Sequence, residues 1–114
     1  MPNYEDSIEL TFAALSDPTR RAVVEKLCEG SATVSQLADP FDMALPSFTQ
    51  HLSVLEKAGL IVSRREGRSR VCSLNPSALM RAEDWMASHR KQWESRLDRF
   101  EAHLEKVQRE KSND

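Results

Sequence analysis

The sequence predicts a mostly α-helical fold with one β-hairpin: a winged helix-turn-helix domain followed by a long C-terminal helix. Two helical segments stand in succession at residues 33–39 and 45–58, and Pro40 lies in the turn between them. Residues 60–70 then predict a strand, a tight turn and a second strand, with four arginines among them. A helix-turn-helix followed at once by a basic hairpin is the outline of a winged-helix domain.

Length and composition favour a single soluble domain. A chain of 114 residues has room for a modest core but little for the deep cleft of an enzyme. Its balance of 39% hydrophobic and 30% charged residues is typical of a globular protein with a large exposed surface. No apolar run approaches the ~20 residues needed to cross a bilayer, and the acidic N-terminus lacks the features of a signal peptide. We therefore expect a cytoplasmic protein with no membrane partner.

Spacing and boundary residues predict two helices at the start of the chain. The first covers residues 4–15, because apolar side chains recur there at helical spacing: Ile8, Phe12 and Leu15. Asp17 and Pro18 then provide an N-cap and a first helical residue whose missing N–H costs nothing. This second helix should run to about Glu29, since Gly30 supplies a C-terminal stop.

The two helices of the helix-turn-helix have well-defined ends. Thr33 and Gln36 have the spacing of a capping box, which starts the third helix. The residue before Pro40 is pushed out of the helical region, so that helix ends there. The fourth helix closes at Gly59. Its core face is predicted by apolar residues at helical spacing: Phe48, Leu52 and Leu55.

The remaining faces of the fourth helix carry polar, mostly small side chains that leave room to approach a base edge closely: Ser47, Thr49, Gln50, His51 and Ser53. Glutamine can bond bidentately to adenine, and serine or threonine hydroxyls reach phosphates or bases. We therefore predict that these residues contact DNA. For Thr49 and Gln50 the alternative is an ordinary exposed residue, and for His51 a satisfied histidine at a helix–helix junction.

The hairpin carries the second set of candidate DNA contacts. Residues 60–65 and 69–74 are short and rich in β-branched side chains, and Gly67 can take the positive φ that a tight hairpin needs. Arg68 lies at the tip, from which it can enter a minor groove. For the other arginines, phosphate contact and a solvated face are equal alternatives: Arg64, Arg65 and Arg70.

Net charge supports nucleic-acid binding once it is divided along the chain. The whole chain carries −2, which by itself argues against DNA. Residues 1–44 carry −5, residues 45–74 carry +3 and residues 75–114 are neutral. The positive charge thus lies in the fourth helix and the hairpin, where it attracts phosphate, and a dimer would double it. Arg20 and Arg21 lie outside this segment and are interpreted as surface charge.

A long final helix, capped by Asn75 and Pro76, predicts a homodimer. Apolar residues recur every seven positions, with leucines at an intermediate heptad position: Leu79, Met86, Trp93, Leu97, Phe100 and Leu104. A narrow stripe on a helix too long for so small a domain favours a second copy of the chain as its cover. Folding back on its own domain would explain only the first half. We divide the chain into a DNA-binding domain at 1–76, a dimerisation helix at 77–110 and a disordered tail at 111–114.

Four segments together carry a specific resemblance. They are residues 14–22 (ALSDPTRRA), 34–38 (VSQLA), 50–60 (QHLSVLEKAGL) and 65–68 (REGR). With them the sequence resembles the ArsR/SmtB family of bacterial winged-helix repressors, closely over residues 10–74 and in outline elsewhere. The resemblance implies a homodimer held by its first and last helices. Such a dimer binds a palindromic operator near its own promoter and excludes polymerase until an inducer ligand releases it.

The resemblance also implies roles for single residues. The recognition-helix face of the family matches four of them: Ser47, Thr49, Gln50 and His51. Arg68 matches the arginine at the wing tip. One departure is Ala44, which stands where the family usually has serine or threonine just before the recognition helix. A lost N-cap costs about 1 kcal/mol unless Asp42 takes over.

Metal sensing, the best-known activity of the family, is not expected here. Residues 31–37, where thiolate sensors carry a Cys-x-Cys-type pair, contain no cysteine or histidine. Sensors that bind metal between their last helices need clustered carboxylate and imidazole ligands, whereas His89 and His103 are far apart. Asp98 and Glu101 lie near His103, but no Asp-x-His pair accompanies them. We therefore predict no metal site and no cofactor.

The sequence does not identify an inducer. Cys28 and Cys72 are too few for a disulfide scaffold, and each is interpreted first as a small buried residue. The alternative is a redox-responsive repressor, in which their oxidation couples to wing position. Trp85 and Trp93 suit a pocket for a hydrophobic effector and ordinary core packing equally well.

Two functions of different class remain. The main prediction is a dimeric, sequence-specific regulator of transcription, most simply a repressor, that binds double-stranded DNA. The alternative is a winged-helix dimer that binds protein and no longer binds DNA, and the local charge of +3 argues against it. An enzyme is not expected, because no nucleophile–base pair, Gly-rich phosphate loop or carboxylate couple stands at usable spacing.

Overall fold

The computed structural model describes residues 4–112, with side chains from residue 8, and confirms the predicted fold class. Its elements follow the predicted order with one strand added: α1 (Tyr4–Leu15), α2 (Pro18–Leu27), β1 (Ala32–Thr33), α3 (Val34–Ala38), α4 (Leu45–Lys57), β2 (Ile61–Glu66), β3 (Ser69–Leu74) and α5 (Pro76–Ser112). Within the described residues no helix combines the length and apolar character needed to span a membrane.

Capping residues set the helix boundaries. The Asp17 carboxylate accepts a hydrogen bond from the backbone N–H of Arg20 at 3.1 Å, at the start of α2. A complete capping box starts α3, as the sequence predicts. Helix α2 ends at Leu27, two residues before the predicted Glu29, because the N–H groups after it also bond three residues back, in a tighter turn.

Three strands form one antiparallel sheet in the order β1-β3-β2. Strands β2 and β3 are the predicted hairpin, which closes where Glu66 pairs with Ser69. Gly67 has a φ of +60° in the turn, as predicted. The sequence does not predict β1. It holds only two residues, of which Ala32 pairs with Cys72, and so short a strand has no periodicity from which to predict it.

The core lies between the first four helices and the sheet. The α4 residues predicted to face it are fully buried: Phe48, Leu52 and Leu55. Burial of each contributes about 2 kcal/mol. Of the three α1 residues that the spacing indicates, Ile8 is buried, and the other buried residues of this helix are Thr11 and Ala14. Phe12 and Leu15 are only half-buried, so α1 presents a face slightly rotated from the expected one.

The chain divides into two units, one up to Ala82 and the other from Glu83. In the first unit Leu79 packs partly against the core, although the heptad pattern places it in the dimer stripe. The difference arises because the first turns of α5 still belong to this unit. In the second unit the helix continues to Ser112, two residues into the predicted disordered tail. The rest of that tail, 113–114, lies outside the described residues.

The apolar stripe of the second unit is exposed. Between 41% and 60% of the surface of its large side chains is accessible: Met86, Trp93, Leu97, Phe100 and Leu104. Trp85 is 40% exposed. Neither tryptophan is buried in one protomer.

Candidate nucleic-acid interface

The buried face of α4 fixes the angles at which the predicted contact residues lie. Successive helical residues turn by about 100°. Gln50 and Ser53 therefore lie opposite the core, and both are exposed, as is Ser47. Thr49 and His51 are half-buried on opposite flanks of the helix. The predicted contact residues thus form an outer polar strip and two flanks that meet neighbouring elements.

The flank with Thr49 borders the wing. Thr49, Arg68 and Arg70 line a groove of about 280 Å³ that also reaches the start of α3. The Thr49 hydroxyl donates to the Pro46 carbonyl at 3.0 Å, so its hydrogen is used within the helix and its oxygen is left to accept. The exposed guanidinium of Arg68 supplies the donors and the charge that phosphate oxygens require, whereas the Thr49 hydroxyl can donate to a phosphate only after it leaves the Pro46 carbonyl.

The flank with His51 contacts α2. Nη1 of Arg20 lies 3.1 Å from Nδ1 of His51, and Oδ2 of Asp17 lies 3.8 Å from the same nitrogen. A guanidinium only donates, so Nδ1 accepts and the proton of the neutral ring is on Nε2. The pKa of Asp17 is lowered, first by the backbone N–H of Arg20 and further by the charge of the Arg20 side chain. The geometry supports His51 as a satisfied histidine between helices, and its DNA contact stays a prediction.

Arg20 and Arg21 cap the end of α1. Nε of Arg20 donates to the Ala14 carbonyl at 2.7 Å, and Nη1 of Arg21 donates to the Leu15 carbonyl at 2.8 Å. These carbonyls belong to the last turn of α1, where the helix itself supplies no donor. The interpretation as plain surface charge is wrong for the half-buried Arg20, which also joins α1 to His51. The sequence signal that could have predicted this capping is the presence of two basic residues shortly after the end of α1.

Two of the four wing arginines are engaged within the protein. Arg64 forms an ion pair with Glu66 at 3.0 Å. Arg70 is half-buried and forms a second ion pair, with a residue of α4. The side chains of Arg65 and Arg68 are exposed and have no ion pair or hydrogen bond to any other described residue. The unpaired positive charge of the wing is therefore carried by Arg68 in the turn and by Arg65 near the end of β2.

A cluster that the sequence does not predict joins α4 to the wing. Oε1 of Glu56 accepts hydrogen bonds from Oγ of Ser63 and from Nη2 of Arg70, the latter at 2.9 Å. Nε of Arg70 also donates to Oγ of Ser63 at 3.0 Å. The pKa of Glu56 is lowered, first by the Ser63 hydroxyl and then by Arg70. The three residues come from one helix and two strands, so no periodic pattern indicates that they meet.

The remaining candidates for a site are metal-ligating side chains and the two cysteines. Within residues 4–112 no three histidine, cysteine, aspartate or glutamate side chains are grouped to hold a metal ion. Both cysteines are free thiols, Cys28 exposed and Cys72 fully buried in β3. Burial is the main cause that raises the pKa of the Cys72 thiol, and a protonated thiol is a poor nucleophile. The interpretation as a small buried residue is right for Cys72 and wrong for Cys28.

Comparison with known proteins finds the same region in transcriptional regulators. Residues 15–64 match a family model described as a helix-turn-helix domain. The chain is 37% identical over 75 residues to the transcriptional repressor SdpR of Bacillus subtilis (strain 168), covering 66% of this chain and 83% of that protein. It is 41% identical over 73 residues to the HTH-type transcriptional regulator Rv2034 of Mycobacterium tuberculosis, covering 64% of this chain and 68% of that protein.

A solved structure matches over a longer span. The crystal structure of the ArsR family transcriptional regulator RHA00566 superposes with a TM-score of 0.77 at 46% sequence identity. The superposition covers 83% of this chain and 98% of that one. The likeness therefore extends to sequence as well as fold.

Proposed function

Because the chain belongs to the ArsR family of winged-helix transcriptional regulators, we propose that it binds double-stranded DNA as a homodimer and represses transcription from an inverted-repeat operator. The observation that carries the proposal is the exposed polar strip of α4 beside two unpaired wing arginines. Both lie in residues 45–74, the segment with a net charge of +3. A polar helix face next to free positive charge is what a DNA-reading helix requires.

In this proposal α4 lies in the major groove. Gln50 reads a base through its amide, which bonds bidentately to adenine. Ser47 and Ser53 flank it and reach phosphates or bases. The Thr49 hydroxyl turns from the Pro46 carbonyl to donate to a phosphate at the groove beside the wing. His51 is bonded through Nδ1 to α2, so only a donor, Nε2–H, is left for DNA. His51 therefore selects acceptor groups.

The wing supplies charge at the edge of the site. Arg68 enters the flanking minor groove from the turn, and Arg65 binds phosphate. Arg64 and Arg70 are paired with acidic side chains and contribute less, because each would have to leave its partner to reach a phosphate. The proposal thus ranks the four wing arginines by their expected contribution to DNA binding, with the unpaired Arg65 and Arg68 above the other two.

A second copy of the chain covers the stripe on α5. Its large side chains are 41–60% exposed in one protomer, and burying one fully contributes about 1.5–3 kcal/mol. Heptad spacing suits a second helix with the same stripe. A two-fold dimer presents two α4 helices roughly 34 Å apart, which matches half-sites one DNA turn apart and an inverted repeat.

Selection of the purified protein against random duplex DNA at about 150 mM salt tests the proposal. We expect enrichment of an inverted repeat with half-sites about one turn apart. The matched control is Arg65→Glu with Arg68→Glu, which reverses two exposed charges away from the core and should enrich no motif. If a folded wild-type dimer enriches no motif, the protein-interaction alternative replaces the proposal.

Repression is tested separately with a reporter gene placed behind the enriched sequence. Expression should fall when the protein is present, because a bound dimer excludes polymerase. A rise in expression would identify an activator instead.

A further inference from the structure

Three side chains from three elements meet between α4 and the wing. Glu56, in the last turn of α4, accepts hydrogen bonds from Ser63 of β2 and from Arg70 of β3. Arg70 also donates to Ser63, so each of the three is bonded to the other two, and all are half-buried. We propose that these residues form a clamp that holds the wing on the end of α4, and that Arg70 is a positioning residue rather than a DNA contact.

The geometry of the clamp requires an arginine. Nε and Nη2 of Arg70 reach acceptors on two different elements, at 3.0 and 2.9 Å. The planar guanidinium fixes the angle between these bonds, whereas a lysine has the same charge on a single ammonium group. A lysine at this position could still bind a phosphate through its charge. Replacement of Arg70 by lysine therefore separates the two roles.

DNA electrostatics alone does not explain why the proposed DNA-binding helix carries an acidic residue, Glu56. A carboxylate on a DNA-facing helix repels phosphate, so an isolated acid there weakens binding. The charge of Glu56 is matched by that of Arg70 at 2.9 Å, and the pair adds no net charge to the interface. If Arg70 moved to a phosphate, it would leave a half-buried carboxylate without its partner. The presence of Glu56 on α4 is therefore explained by its role in holding Arg70, and with it the wing, in place.

The clamp rests on the DNA binding proposed above and specifies how α4 and the wing keep their spacing. The helix and the turn of the hairpin must reach neighbouring parts of the DNA at the same time. Buried residues such as Ile61 and Cys72 hold the inner end of the hairpin. Its outer end is a two-stranded ribbon that is only marginally ordered by itself, and ordering it on binding costs free energy. An outer end already fixed to α4 avoids that cost. Opening the clamp frees this end to move against the helix and to fray.

The DNA affinities of Glu56→Gln, Arg70→Lys and the double variant test the clamp, on the duplex that the wild-type protein enriches. We expect each single variant to bind about 5-fold more weakly, and the double variant little more weakly than either, since each change opens the same clamp. For Arg70→Lys the loss should be equal at every salt concentration, because the charge is kept and no phosphate contact is removed. Electrostatics without a clamp predicts tighter binding by Glu56→Gln.

Two further variants serve as controls. Arg99→Lys makes the same exchange at an exposed arginine of α5, outside both the clamp and the proposed DNA contacts, and it should bind as the wild type does. Ser63→Ala keeps both charges and removes one hydroxyl, and it should weaken binding as the clamp variants do. Circular dichroism establishes that each variant is folded. Tighter binding by Glu56→Gln, or wild-type binding by Arg70→Lys, would overturn the clamp.

Hydrogen exchange separates the clamp from the proposed function, because it needs no DNA. In Glu56→Gln the amides of β2 and β3 should exchange faster, while those of the buried face of α4 keep their rates. Unchanged exchange in the wing would overturn the clamp even if the protein binds DNA. If the wild type enriches no DNA but its wing responds in this way, the proposed function fails and the clamp is supported.

Discussion

Arg68 lies in the turn of the wing, with its side chain exposed and no ion pair to any other described residue. Two of its neighbours, Arg64 and Arg70, are held by Glu66 and Glu56. At the scale of residues, the partner of a side chain decides what it can still bind. An arginine that already has a carboxylate offers little net charge to DNA, whereas Arg68 offers its full charge.

Arg68→Ala should therefore weaken binding to every DNA sequence alike. It should also reduce the slope of log affinity against log salt by about 1, as the loss of one phosphate or minor-groove contact would. Filter binding or anisotropy at several salt concentrations measures both effects. The matched control is Arg99→Ala, exposed on α5, which should change neither. Equal slopes for wild type and Arg68→Ala would remove the wing tip from the interface.

Gln50→Ala should instead change which sequences are bound. Gln50 is exposed opposite the core, where its amide can bond to one base. We expect preference to relax at one base pair in each half-site, at a cost of about 1–3 kcal/mol on the preferred duplex. Selection from random duplex DNA measures it, with Gln92→Ala on α5 as the control. An unchanged base preference would exclude base reading by this residue.

At the scale of elements, the sequence predicts those features that depend on residues close together in the chain. The capping box of α3, the buried face of α4 and the turn at Gly67 each depend on residues a few positions apart. The two residues of β1 pair only because β3 offers an edge, and no local pattern encodes that. The contact of Arg20 with His51 spans 31 positions and depends on the packing of α2 against α4. Hence the exposed positions on α4 follow from its helical periodicity. The sequence offers a helix–helix junction for His51 only as an alternative and does not identify Arg20 as its partner.

Helix α4 offers a test of capping. It begins after Ala44, and in the described part of the chain no side chain caps it. The φ and ψ of Ala44, −64° and 143°, already suit an N-cap residue. Ala44→Ser should therefore raise the free energy of unfolding by about 1 kcal/mol, measured in urea at fixed protein concentration. Ala102→Ser, inside α5, should give no gain. Equal stabilities of wild type and Ala44→Ser would mean that the helix start is satisfied in another way.

The ion pair of Glu56 with Arg70 should make the free energy of unfolding depend on pH in the acidic range. The Ser63 hydroxyl and Arg70 lower the pKa of Glu56 from its usual 4.5, so the folded protein binds that proton less readily than the unfolded chain. Its contribution is complete above pH 4.5 and is lost as pH falls through the lowered pKa. We expect Glu56→Gln to be less stable by about 1 kcal/mol at neutral pH, a value reduced for partial exposure, and the difference to shrink in acid.

Urea unfolding across this range at fixed protein concentration measures the effect. Glu105→Gln, exposed on α5, is the matched control and should unfold as the wild type does at each pH. A difference between wild type and Glu56→Gln that is constant with pH would show that the carboxylate charge plays no part.

At the scale of the whole molecule, charge and apolar surface are divided along the chain. Residues 45–74 carry +3 beside a segment of −5, and the exposed apolar stripe belongs to the second unit. The proposed function thus assigns DNA reading and the pairing of two protomers to different parts of the sequence. A substitution in one part should leave the other intact, except that a monomer can hold only one half-site.

Leu97→Glu with Leu104→Glu should yield monomers, because it places two charges in the stripe. Sedimentation measures the change, and affinity for the full inverted repeat should fall with it. The matched control is Ser95→Glu with Ala102→Glu, which adds the same charges seven residues apart on the opposite side of α5 and should leave the dimer intact. A dimer that survives the leucine changes would mean that another surface joins the protomers.

The order β1-β3-β2 leaves β2 at the border of the sheet, with no further strand beside it among residues 4–112. An open border of this kind is a template on which a strand of another molecule can add, and sheets polymerise in that way. Half of the six residues of β2 are charged, including Arg64 and Arg65. These two arginines therefore also keep the wing from adding strands of other molecules, and neutralising them would favour aggregation before it unfolded the domain.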